Sequence, residues 1–64
     1  MTRVIELEVS ATYGPSVGAG QVVKPGAVLG WQRQGPVRCP AAGKVRAVEF
    51  LADRHSFRIT LEVK

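Results

Sequence analysis

Residues Val17 to Val45 read VGAGQVVKPGAVLGWQRQGPVRCPAAGKV, and this stretch decides the fold. Gly20, Val23, Gly26 and Leu29 fall three residues apart, and Pro40, Gly43 and Val45 form a second compact group. Inside a helix, glycine costs about 1 kcal/mol and proline about 3 kcal/mol relative to alanine, so no helix survives this many breakers. Gln21 to Val23 reads instead as a short strand. Lys24-Pro25-Gly26 reads as a type II turn, with proline at i+1 and glycine supplying the positive φ needed at i+2. Ala27 to Trp31 is the next strand, Gln32 to Gly35 a hairpin-like connection, Val37 to Cys39 a further extended piece and Pro40 to Gly43 a second turn. Gly20, Gly26, Pro40 and Gly43 are therefore assigned as structural turn residues.

Outside this stretch the pattern is simpler. Val4 to Ser10 alternates, with Ile5, Leu7 and Val9 on one face and Glu6, Glu8 and Ser10 on the other. Ala11 to Gly20, rich in glycine, is loop. Val45 to Leu51 is apolar and β-prone, and Ala52 to Ser56 is a polar turn. In the last strand Phe57, Ile59, Leu61 and Val63 point inward, and Arg58, Thr60 and Glu62 outward. The sum is six to eight short strands without a helix, which predicts an all-β small barrel or sandwich.

Sixty-four residues admit one domain, spanning residues 1–64. A chain this short buries only about 60% of its unfolded surface, so its stability is marginal without reinforcement. A single cysteine excludes an internal disulfide. Cys39 has no CxxC partner and only His55 beside it as a soft ligand, which excludes a zinc staple built within one chain. A protein partner or self-association is the remaining source of buried surface. The N-terminus has no apolar leader and no apolar run approaches the roughly 20 residues that cross a bilayer, so the expectation is a cytoplasmic chain without membrane insertion. Nine Lys and Arg against five Asp and Glu give a formal charge of +4. The basic residues are spread along the chain, which argues against nucleic acid and for a solvated surface.

The spacing G-x-x-V-x-x-G-x-x-L from Gly20 to Leu29, followed by P-A-x-G-x-V from Pro40 to Val45, resembles the biotinyl/lipoyl domain superfamily. The order VKPGAVL, GPVRCPAAGKVRAVE and FRITLEV is most similar to the N-terminal domain of the A subunit of sodium-translocating NADH:quinone reductase and of the C subunit of the Rnf electron-transport complex. The resemblance implies a flattened barrel-sandwich hybrid of two interlocked four-stranded sheets, with Val23, Leu29 and Val45 in the shared core. It covers about half the chain and does not extend to the redox modules that follow the domain in those proteins. Carriers of this superfamily present a modified lysine at the tip of the hairpin between the two motif blocks. Here that hairpin is Gln32-Arg33-Gln34-Gly35-Pro36, which holds no lysine. Arg33 cannot substitute, because a guanidinium stays protonated and is a poor acyl acceptor. Lys24 lies in another turn before proline, and Lys44 one residue past Gly43. Either could be modified only in an atypical carrier.

Side-chain catalysis has little to work with. His55 and Asp53 share a polar turn with no nucleophile fixed nearby. Cys39, near Arg38 and Arg33, reads as a small core residue rather than an activated thiol. Neither G-x-G-x-x-G nor G-x-x-x-x-G-K-[ST] occurs, so a phosphate cradle is not expected. Tyr13 and Trp31 are expected to complete the core or cover its rim. The sequence thus points to a non-enzymatic, unmodified docking module without cofactor, metal or catalytic residue, with Trp31, Gln32, Arg33 and Gln34 as the contact region. The alternatives are an atypical swinging-arm carrier using Lys24 or Lys44, or a small basic nucleic-acid-binding barrel stacking bases on Tyr13, Trp31 or Phe50.

Overall fold

A computed structural model describes residues 3–63. Among these there is no helix, and six strands run in the order β1 (Arg3–Ser10), β2 (Val22–Val23), β3 (Val28–Gln32), β4 (Gly35–Arg38), β5 (Gly43–Leu51) and β6 (Ser56–Val63). The fold is all-β, as the spacing of breakers required. One sheet has the order β1-β6-β5-β2, and a second pairs β3 with β4. All pairings are antiparallel. The strands form two sheets, the second with two regular strands rather than the four that the resemblance implies. Residues 11–21 lie along strand edges without becoming strands: Ser16 N donates to Leu29 O, Gly20 N to Val45 O, and Gln21 O accepts from Val45 N. Gly14 and Gly20, at φ +75° and +90°, and Pro15, which lacks an N–H, deny this segment a continuous ladder.

The turn Lys24 to Ala27 closes with Ala27 N donating to Lys24 O at 3.0 Å, and Gly26 has φ +85°, the geometry read from the sequence. Two further bonds, Gly26 N to Cys39 O and Cys39 N to Ala27 O, tie this turn to the second motif block. Gly43 corrects the expectation. The second turn covers Pro40 to Ala42, while Gly43 opens β5 with an ordinary φ. Its constraint is space, because a Cβ there would overlap the backbone carbonyl oxygen of Glu62 on β6.

The core consists of Val9, Val17, Val23, Leu29, Cys39, Val45, Ile59, Leu61 and Val63, with Ile5, Leu7 and Phe57 among those packed against it. The alternation read in β1 and β6 holds. In β5 it breaks, because Val45 pairs with Leu61 and Ala47 with Thr60, leaving Arg46 as a bulge residue. The extra residue switches parity, so Val48 and Phe50, opposite Ile59 and Phe57, follow Val45 on one face. A second bulge at Leu29 turns that side chain fully inward. The two sheets approach closely there, and a Cβ on Gly30 would lie 2.7 Å from Val9 Cβ.

Candidate functional site

The β3–β4 hairpin and the loop after β1 build one surface site. Cross-strand pairs Trp31–Pro36 and Gln32–Gly35 leave Arg33 and Gln34 as the turn. Pro36 is tolerated because β4 has a strand partner only on its β3 side, so its missing N–H breaks no ladder bond. Gln32 Nε2 donates to Glu8 O on β1 at 2.8 Å, a partly buried bond across 24 positions. It clamps the hairpin to the larger sheet. On the other side, Gly14 N donates to Ser10 O and Thr12 N to Ser10 Oγ, turning the chain sharply after β1. With Ser16 N bonded to Leu29 O, this turn delivers Tyr13 to the hairpin.

Tyr13, Trp31, Gln32, Arg33 and Gly35 line one open cavity of about 500 Å³. Tyr13 is 66% exposed and Trp31 41%, so neither completes the core, the first of the two places expected for them. Of the four residues assigned as a contact region, Trp31, Arg33 and Gln34 are exposed, whereas Gln32 is half-buried and structural. Tyr13 joins them although it lies outside the expected contact region, since a loop without periodicity hides its neighbours. Phe50 is also exposed, but it packs on Phe57 at a centroid distance of 5.2 Å and meets His55 edge-on at 6.4 Å. It lies on β5, away from the hairpin.

The charges divide unevenly. On the outer face of the larger sheet, Glu6 pairs with Arg58, Glu8 with Arg54 and Glu62 with Arg46. These pairs neutralise three arginines. Arg33 at the hairpin, and Lys24 and Lys44 elsewhere, have no ion-pair partner among the described residues. The two lysines, 20 positions apart in sequence, line a single groove, so the basic residues are less dispersed than their spacing implied.

His55, with φ +49°, is exposed in its turn. Cys39 is 2% exposed, and its thiol donates to Ala41 O, away from solvent. Among the described residues no group of three His, Cys, Asp or Glu side chains could hold a metal, and no buried side-chain nitrogen or oxygen lacks a hydrogen-bond partner. Among the described residues no helix is long and apolar enough to cross a membrane. Compared with protein-family models, with curated proteins and with solved structures, the chain matches none.

Proposed function

We propose that the chain is a non-catalytic, unmodified barrel-sandwich module of the biotinyl/lipoyl type, which docks onto a protein partner in a larger assembly through its β3–β4 hairpin. One observation carries this reading: Trp31 and Tyr13 stand exposed beside the unpaired Arg33, on a hairpin held in place by the Gln32 bond to β1. Tryptophan, tyrosine and arginine dominate the energetics of protein interfaces, and a pre-fixed loop loses little entropy on binding. A 64-residue domain with a small aliphatic core also gains from surface buried against a partner. Absence of lysine from the hairpin favours docking over a swinging arm.

The test is to purify the tagged chain from its native host, measure its intact mass and identify what is retained at moderate salt. The expected result is an unmodified mass with a defined protein, whose affinity for Trp31→Ala falls by about 2 kcal/mol, roughly 30-fold, as for a hot-spot residue. Undiminished retention by a Trp31→Ala/Arg33→Glu variant refutes hairpin docking. A lipoyl or biotinyl mass on Lys24 or Lys44 makes the chain a carrier instead.

A further inference from the structure

A groove of about 630 Å³ runs beside β2, away from the hairpin, with walls formed by Val22, Val23, Ala41, Ala42 and Val63 and with Lys24 and Lys44 on its rim. We propose that this groove is a second docking surface, which receives an extended acidic segment of a partner protein.

Three features of the groove lead to that occupant. Its walls are apolar, and Val22 is 74% exposed although it lies in a strand, whereas Val23 and Val63 belong to the buried core. Its charge is net positive: neither Lys24 nor Lys44 has an ion-pair partner among the described residues, and the one carboxylate that lines it, Glu62, stands across from Lys44 in the strand register but is engaged by Arg46 at 3.6 Å. Finally, β2 has a strand partner only on its β5 side, so its outer backbone edge is open to another strand. An extended chain can add there by backbone hydrogen bonds while its side chains meet the groove. A second copy would bring its own Lys24 and Lys44 to a surface that already carries the same two lysines, a like-charge accumulation that disfavours self-pairing. Carboxylates alternating with apolar side chains satisfy both the ammonium groups and the walls.

The surface is separate from the hairpin and stands independently of it. Gln32 reaches Glu8, which pairs with Arg58, whereas the groove lies at Val63. Arg58 and Val63 are five residues apart on β6, roughly 17 Å at about 3.3 Å per residue. One partner spanning both surfaces, or two partners bridged by them, makes the module a connector.

The test uses the whole chain and two labelled heptapeptides, one alternating Glu with Val and the other Lys with Val, followed by fluorescence anisotropy and amide chemical shifts. The acidic peptide is expected to bind, more weakly as salt is raised, and to shift amides of residues 20–24 and 41–45. Lys24→Glu/Lys44→Glu is expected to weaken it by roughly tenfold or more, as like-charge juxtaposition requires, while Arg33→Glu leaves it unchanged. Both lysines are exposed, and unchanged amide dispersion in the variant verifies its fold. A peptide N-methylated at alternate residues should lose binding if the backbone edge is used. Equal binding of the basic peptide, undiminished binding by the double variant, retained binding after N-methylation, shifts centred on the hairpin, equal competition by a single-stranded oligonucleotide, or no binding at millimolar peptide would each overturn the proposal.

Discussion

Two glycines that the sequence treats alike should respond very differently to the same added methyl group. At Gly26 a Cβ meets nothing within 4 Å, and the only cost of Gly26→Ala is the positive φ of +85°. That conformation costs an L-residue about 1–2 kcal/mol, offset by about 0.4–1 kcal/mol because alanine stiffens the unfolded chain. The net is about 1 kcal/mol. At Gly43 the Cβ would overlap the carbonyl oxygen of Glu62 and lie 2.9 Å from Val63 Cγ1. No side-chain rotation relieves a clash with backbone. The start of β5 must move, and it is paired on both sides, with Val63 of β6 and Val23 of β2. Overpacking a fixed site costs typically 1–3 kcal/mol, and the upper end, about 3 kcal/mol, applies when two ladders shift together. A 64-residue chain has roughly 3–10 kcal/mol in total at about 0.05–0.15 kcal/mol per residue. Gly43→Ala should therefore lower the melting temperature by roughly 12–24 °C, and Gly26→Ala by roughly 4–8 °C. Thermal and urea unfolding followed by far-ultraviolet circular dichroism measures both. If Gly43→Ala proves no more destabilising than Gly26→Ala, the close approach of β5 to β6 is not what requires glycine at position 43.

Deleting Arg46 should be tolerated, because it removes the bulge residue and leaves the pairs Val45–Leu61, Ala47–Thr60 and Val48–Ile59 in register. Deleting Val48 should instead unfold the domain by turning Glu49 toward the core, and amide dispersion in a two-dimensional NMR spectrum separates the two outcomes. Gln32→Ala should cost about 1 kcal/mol through loss of its bond to Glu8 O and speed hydrogen exchange in the hairpin, whereas the exposed Gln34→Ala should do neither. Equal behaviour of the two glutamine variants in exchange measurements would mean that the clamp does not hold the hairpin.

Much of the fold was legible because breakers and alternation act locally. Pro25-Gly26 specifies its own turn, and β1 and β6 each bury one face, so their period of two survives in the sequence. The break in β5 was not legible, since a bulge at Arg46 depends on how β6 aligns across the sheet. Gly43 was read as a turn for a similar reason. Crowding by Glu62 comes from a residue 19 positions away, and no local rule reports it.

The same distinction governs the candidate sites. Hairpin residues 31–34 are contiguous, so their prominence could be read directly, while the separate contributions of Tyr13, and of Lys24 with Lys44, required the folded chain. Of the two places expected for the aromatics, the core and its rim, the core is ruled out by volume. The six most deeply buried side chains are all valine, leucine or isoleucine, and they fill the narrow space between two sheets in a body 15 Å across its shortest axis. An indole inserted there would force the sheets apart at contacts as close as Gly30 to Val9. Trp31 is therefore excluded from the core by the thinness of the fold. Having been excluded, it stands beside Tyr13 and an unpaired arginine rather than under a covering loop, an arrangement that contributes little to the isolated domain and is what the proposed docking would put to use.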